Sequence, residues 1–374
     1  MPVATNTREN IVSSVESGLD LFPPLTKQHI VNCSFSSWYN KFRSVTIKSK
    51  IIKPLSKEFI DYLHADSVFL PEEEDYLERS ELSDEEEDDN EEEADNIENQ
   101  AIPSFPDLEQ QIIGIIEEFG GAIFPKLNWS SPRDATWISS TNTLKCNSAS
   151  DIFLLLKSSD FIAYDLDHAF DGCNHDNNEE GEESEDSDND EILRRQRSNE
   201  FEFELVIRKW CNMEPSMEFR CFVKNEELVA ISQRDITYYP FLNEIKEELK
   251  IKIIDFFNTC IKNKFYNPYY VFDVYVTRNR ERVWLIDFNP FGSMTDSILY
   301  SWEEILSETL SSLTLFRIVT SQIEASQFHN QNFSVNRYPR EVIDFSQGQT
   351  VIEFAERFQR ELLCLWMGKM QKFC

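Results

Sequence analysis

Between residues 106 and 119, apolar side chains recur at helical spacing (Leu108, Ile112, Ile115, Ile116, Phe119) until Gly120-Gly121 ends the run. This predicts an amphipathic helix with a glycine stop. A strand over 122–127 should follow. Ile152, Phe153, Leu155 and Leu156 predict a second helix over 150–161, with Ser150 able to cap its amino end. Further on the period drops to two: Phe201-Glu-Phe-Glu-Leu-Val-Ile alternates, and the strands 218–223 and 228–234 flank a turn at Lys224-Asn-Glu-Glu. Ile245, Leu249, Ile253, Phe256, Phe257 and Cys260 then mark a helix over 242–263, and a hairpin pairs 269–277 with 282–288. Val45-Thr46-Ile47 and Ile51-Ile52 read as short strands near the start. The pattern is that of an α+β protein whose second half is an antiparallel sheet with a packed helix.

Outside these segments the pattern fails in an informative way. The chain has 374 residues and a net charge of -32, but 72–98 alone carries -16 and 171–191 another -11. The other 326 residues carry -5, an ordinary balance for a folded domain. Like charge with almost no apolar content cannot offset chain entropy, so both runs are expected to be disordered insertions. Ser83, Ser184 and Ser187 within them suit an acidophilic kinase, although the composition alone creates such sites. Residues 1–26 are polar and end in Pro23-Pro24, a flexible arm. From Val351 onward, Phe354, Phe358, Leu362, Leu365, Trp366 and Lys369 suggest an amphipathic helix.

Charge and glycine usage exclude several functions. Bulk acidity opposes direct binding to nucleic acid, although Lys27, Lys41, Arg43, Lys48, Lys50, Lys53 and Lys57 interleave with Trp38, Tyr39 and Phe42 in a stretch that could stack bases. The nine glycines form neither a dinucleotide-binding fingerprint nor a Walker loop, and the eight cysteines and five histidines form no zinc pattern. Reduced thiols, no signal-like amino terminus and no long apolar run lead to the expectation of a cytoplasmic protein without membrane contact.

The final hairpin carries the candidate chemistry. Asp287 and Asn289, two apart on a strand, project from one face. With a three-residue loop at 279–281, Arg278 faces Arg282 and Asp273 stands against Asp287. Carboxylates so opposed at roughly 5 Å repel. A cation relieves them: an inserted Arg or Lys, or a metal, for which two Asp and an Asn carbonyl are the hard oxygen set that Mg2+ takes. Positive groups gather at strand ends: Lys126 leading into Asn128-Trp-Ser-Ser-Pro-Arg-Asp, then Arg208-Lys209-Trp210, Arg220 and Gln233-Arg234-Asp235. The segment through Ser131, Arg133 and Asp134 could fold over phosphates as a lid without glycine-rich sequence.

Asp273 with Asp287-Phe-Asn289-Pro resembles the metal-binding strands of ATP-grasp proteins. More specifically, Phe35-Ser-Ser-Trp-Tyr, Phe124-Pro-Lys-Leu-Asn-Trp, Pro132-Arg-Asp-Ala, Ser150-Asp-Ile-Phe-Leu-Leu-Leu-Lys, Glu218-Phe-Arg-Cys-Phe-Val-Lys, Ile231-Ser-Gln-Arg-Asp and Trp284-Leu-Ile-Asp-Phe-Asn-Pro-Phe-Gly resemble the cell division cycle protein 123 family, from about residue 33 to 302. The resemblance implies an ATP-grasp-like α+β fold of two lobes, with an N-terminal lobe at 27–170 interrupted by the insertion 71–100. A second insertion, 171–199, then separates it from a C-terminal lobe at 200–340 and a helical segment at 341–374. It implies an assembly factor for translation initiation factor 2, binding ATP, Mg2+ and the gamma subunit of that factor, supporting translation initiation and the cell cycle, and monomeric when free. Asp273, Asp287 and Asn289 would ligate Mg2+. Lys126 and Arg220 would contact phosphates, with Ser131, Arg133, Asp134 and Arg234 around them, and Arg208, Lys209 and Trp210 would form the adenine hinge. No catalytic residue follows. An ATP-grasp ligase that activates a carboxylate is the alternative, and a ligase using Lys126 as a covalent nucleophile is a third reading that the bulk charge opposes.

Overall fold

Two helices precede the first strand, in a stretch where the sequence predicts strands alone. Helix α1 (Lys27–Cys33) starts at Thr26, whose hydroxyl accepts the His29 N–H, and α2 (Phe35–Phe42) follows without a linker. Trp38, Tyr39 and Phe42 are buried there, so the rings that suggested base stacking are core residues. Lys48 and Lys50 meanwhile pair with Glu118. The computed structural model describes residues 22–65, 104–171, 173, 201–307 and 314–332. The acidic insertions with their serines, nearly all of the N-terminal arm and the segment 341–374 lie outside the described residues.

Strand β1 (Ser49–Ile52) contains the expected Ile51-Ile52, and α3 (Lys57–His64) comes next. Helix α4 (Pro106–Phe119) has the predicted bounds, and its C-cap Gly120 adopts φ 88°, a left-handed conformation that costs glycine little. After β2 (Ile123–Lys126) and a 3-10 helix (Arg133–Ile138), the second predicted helix is two: α5 (Ala149–Lys157) and α6 (Asp160–His168). Ser148, not Ser150, caps α5 in a reciprocal box with Asp151, and Ser159 restarts the chain as the cap of α6. A serine pair after Lys157 offers the backbone local hydrogen bonds in place of helical ones, which breaks the run.

Strand β3 (Leu205–Lys209) lies between β1 and β2 in an antiparallel three-stranded sheet. Its alternation is misleading, because Glu204 and Arg208 are buried along with the apolar residues. Helices α3 to α6 pack against this sheet through Phe59, Ile112, Ile116, Ile152, Phe153 and Ile207.

The second sheet holds β4 (Glu218–Lys224), β5 (Glu227–Gln233), β6 (Tyr270–Val276), β7 (Val283–Asn289) and β8 (Leu315–Arg317), in the order β7-β6-β4-β5-β8. Strand β8 runs parallel to β5, so the sheet is mixed where the sequence predicts antiparallel pairing alone. One face buries Phe219, Cys221 and Phe272 against α7 (Pro240–Phe256) and the π-helical turn Phe257–Ile261 that extends it. The same core takes in Phe35, Trp38, Phe42 and Val206, which joins the two sheets into one body. Helices α8 (Trp302–Leu306) and α9 (Gln322–Asn332) complete the described chain. The opposite face of the large sheet carries the charged residues.

Candidate functional site

A single row of side chains crosses four strands of the large sheet. Ser232 on β5 pairs with Arg220 on β4, Arg220 with Asp273 on β6, and Asp273 with Asp287 on β7. The expected confrontation of Asp273 and Asp287 is present, by a different route. The turn closes at Thr277 and Arg282, leaving four loop residues, and a β-bulge between the pairs Val274–Leu285 and Asp273–Asp287 restores the register. Ile286 is the extra residue. The bulge lets the neighbours Leu285 and Ile286 both be buried, and the unpaired Ile286 carbonyl accepts from Arg208 Nη1 at 3.1 Å.

Protein cations resolve the conflict between the carboxylates, one on each side. Arg220 holds Asp273 in a bidentate fork, Nε to Oδ1 at 2.8 Å and Nη2 to Oδ2 at 2.9 Å, and Arg234 Nη1 stands 3.4 Å from the same Oδ2. Asn289 Nδ2 also reaches that oxygen at 3.4 Å. Asp287 Oδ2 instead receives Lys126 Nζ at 2.5 Å, from the end of β2 in the small sheet. Lys126 and Arg208 both lie over the Phe35 ring, at 5.4 and 5.3 Å. Arg133, from the 3-10 helix, donates through Nη1 and Nη2 to Glu218 Oε2 at 3.1 Å, and Arg234 approaches that carboxylate at 3.4 Å. Five cations thus gather with three carboxylates where the two sheets meet, Lys126, Arg133 and Arg208 from the side of the small sheet and Arg220 and Arg234 from the large one.

Burial sharpens these charges. It pushes Arg234 down to about 10 although Asp273 pulls upward. Burial alone would raise the Asp273 carboxyl, but Arg220 and Arg234 outweigh it and hold the group far below the ordinary carboxylate range. Burial lowers Lys126, and Asp287 opposes that by attraction and by its hydrogen bond. Arg208 is likewise lowered by burial, while Glu218 raises Arg133.

Several expected site residues do other work. Asp134 turns away from the gap and accepts from Ser159 Oγ at 2.6 Å and from the Phe161 N–H at 3.2 Å, fastening the 3-10 helix to the start of α6. Asp134→Ala should therefore destabilise the fold by about 1–2 kcal/mol, like loss of a helix cap, measurable as a lowered urea midpoint. The Lys209 N–H is bonded to Lys48 O and the Trp210 N–H to Ala122 O, so neither amide is free for an adenine. The Arg208 side chain is a buried strut between the sheets. Ser131 contributes its carbonyl to the Arg133 N–H at 2.7 Å. The structure therefore gathers Lys126, Arg133, Arg208, Arg220, Arg234, Asp273, Asp287 and Asn289, and leaves Ser131, Asp134, Lys209 and Trp210 at the margin.

Sequence reading misses Glu218, Phe35 and Asp165. Asp165 lies on α6 between the buried Ile162 and Leu166, and an acid at an apolar position of a helical period was the available signal. Its carboxylate accepts from the Ser130 N–H at 2.7 Å and the Ser130 hydroxyl at 3.0 Å, which fixes the loop after Lys126. Burial pushes Asp165 up to about 7, against those hydrogen bonds and the attraction of Lys126. The folded chain thus keeps this proton above ~4, where an unfolded Asp sheds it. Stability from this group is full below about pH 4 and is lost as pH rises through 7. Asp165→Asn should flatten the decline, by on the order of 1.4 kcal/mol for each pH unit of the window, in denaturation midpoints measured between pH 5 and 8.

Two carboxylates and an amide oxygen suit a hard cation chemically, and Asp287 and Asn289 are both partly exposed. Asp273 lies beneath them with both oxygens held by Arg220. Among the described residues, no three His, Cys, Asp or Glu side chains form a metal-holding group, and no helix is long and apolar enough to cross a membrane.

The comparisons with known proteins agree with one another. The family model described as D123 matches residues 38–346. A translation initiation factor eIF2 assembly protein of Schizosaccharomyces pombe is 40% identical over 335 residues, covering 90% of this chain and 96% of that protein. The cell division cycle protein 123 of Yarrowia lipolytica is 39% identical over 346 residues, covering 90% and 85%. The solved structure of C-terminally truncated Cdc123 from Schizosaccharomyces pombe superposes with a TM-score of 0.62 at 38% identity, over 80% of this chain and 100% of that one.

Proposed function

Because the chain belongs to the D123 family, we propose that it is an ATP- and Mg2+-binding assembly factor for translation initiation factor 2, with an ATP-grasp-like nucleotide site between its two sheets. The names of the relatives support the assembly role. The observation that carries the nucleotide site is the excess of cations, Lys126, Arg208 and Arg220 buried and Arg133 and Arg234 partly buried, over Glu218, Asp273 and Asp287. A desolvated cluster with surplus positive charge is a place for a polyanion, and Arg forks suit phosphate oxygens.

Asp287 and Asn289, with Asp273 behind them, would hold Mg2+. Lys126 and Arg220 would take phosphate oxygens, with Arg133 and Arg234 alongside. The metal's contribution is to neutralise phosphate charge. Lys126 and Asp287 come from different sheets, so a ligand that engages both favours one relative placement of the lobes. It can shift that equilibrium only through its different affinity for the two placements. The favoured placement would present the surface that takes the gamma subunit, which the protein then hands to the other subunits in the cytoplasm. We assign no catalysis, and an ATP-grasp ligase that activates a carboxylate is the alternative that the test separates.

The test uses full-length protein with labelled ATP, with and without Mg2+ and with isolated gamma subunit. The expected result is metal-dependent retention of intact ATP and nucleotide-dependent capture of the subunit. ADP or AMP formation that depends on a small carboxylate or amine acceptor would establish a ligase instead.

A further inference from the structure

Lys126 is fully buried, and among the described residues its hydrogen-bond acceptor is Asp287 Oδ2 at 2.5 Å. Around the ammonium stand the Phe35 ring at 5.4 Å, the like charge of Arg208 on that same ring and the acid Asp165, whose two oxygens accept from Ser130. Asp287 is 14% exposed, and its other oxygen takes the Phe288 N–H at 3.1 Å. The carboxylate oxygen a metal would need is therefore occupied by a side chain with no second hydrogen-bond acceptor among the described residues.

We propose that Lys126 is a resident counter-ion that keeps free divalent cations out of the site, so that metal enters only together with a polyphosphate. This rests on the nucleotide reading above and adds an order of binding to it. A bare cation at Asp287 would strand the Lys126 ammonium beside a ring and a guanidinium, with no other hydrogen-bond acceptor among the described residues, because the oxygens of nearby Asp165 are taken by Ser130. An unpaired buried charge of this kind is among the costliest arrangements in a protein. A metal–nucleotide complex removes the obstacle because its phosphate oxygens become the new acceptors for Lys126 while the metal takes Asp287. The remaining carboxylate gives no alternative entry, since Arg220 holds both oxygens of Asp273.

Mn2+ is the probe, its binding to the full chain read by electron paramagnetic resonance. Wild-type protein should take up Mn2+ poorly alone and readily with ATP. Lys126→Met, and Lys126→Gln as a second variant that retains a polar end group, should bind Mn2+ without nucleotide at least about tenfold more tightly than wild type. Equal affinity of wild type and both variants for Mn2+ alone overturns the proposal. Should neither variant fold, the 15N ammonium signal of Lys126 decides in the wild type: it should stay in place with Mg2+ alone and shift with Mg2+ and ADP. A shift with Mg2+ alone also overturns the proposal. Failure of wild type to bind Mn2+ with ATP would instead defeat the nucleotide reading, and the variants' gain in Mn2+ affinity is scored separately from it.

Discussion

Replacing Arg220 by methionine should cost about 3–5 kcal/mol of folding stability, the largest single loss expected in the charged row. Arg220 and Asp273 are 7% and 5% exposed and joined by two hydrogen bonds, and Arg220 Nη1 also donates to the Asp296 carbonyl at 2.8 Å. Methionine fills the space without the charge, so the penalty is that of a buried carboxylate left facing Asp287. Arg234, at 3.4 Å, remains as partial compensation and favours the lower end of the range. Arg220→Met with Asp273→Leu should regain most of the loss, because removing both members of a buried pair is far cheaper than removing one. The pH profile gives an independent check. Asp273 titrates below the ordinary carboxylate range when folded, so its stabilising effect is complete above about pH 4 and fades as pH falls toward the folded value. The single variant should lose this acid-side decline. Guanidinium denaturation of the two variants and wild type, at pH 7 and pH 3.5, measures both effects, and a loss under about 1 kcal/mol for Arg220→Met would refute the account.

Asp287→Ala should abolish metal-dependent nucleotide binding, yet it will not be the clean deletion that the hairpin alone implies. Read from β6 and β7 only, losing Asp287 relieves repulsion with Asp273 and leaves the fold intact. Lys126 reverses that expectation, because its buried ammonium is bonded to Asp287. Destabilisation on the order of 3 kcal/mol should accompany the loss of binding. The double variant Asp287→Ala with Lys126→Met should recover stability without recovering binding. Thermal unfolding and equilibrium ATP binding with and without Mg2+ separate the two consequences. Recovery of nucleotide affinity in the double variant would show that Asp287 serves only to neutralise Lys126.

What could be read from sequence follows the range of the interactions involved. Helix α4, with its glycine stop, and the pairs 218–224 with 227–233 and 270–276 with 283–289 depend on neighbours within some twenty positions, and they were legible. The partnership of β4 with β6 was not, since α7 separates them in the chain. Without it, Arg220 could be recognised as a cation in an apolar strand but not as the fork on Asp273. The hairpin shows the same limit on a smaller scale. A loop one residue too short and an unforeseen bulge cancelled, so Asp273 was placed opposite Asp287 while Arg278 and Arg282 were not correctly paired. Asp134 and Arg208 are of residue types that suit both a phosphate site and a structural tie, and sequence does not show the partners that tie them here.

Three of the ion pairs at this site also bear on how this protein can change over generations. Lys126 with Asp287, Arg133 with Glu218 and Arg220 with Asp273 each join elements far apart in the chain. A codon change at one member of a buried pair leaves its mate uncompensated, so drift at these six positions must proceed by coupled steps or through a weakened intermediate. The region where the two sheets meet is thereby held to its present chemistry by the mutual dependence of these pairs.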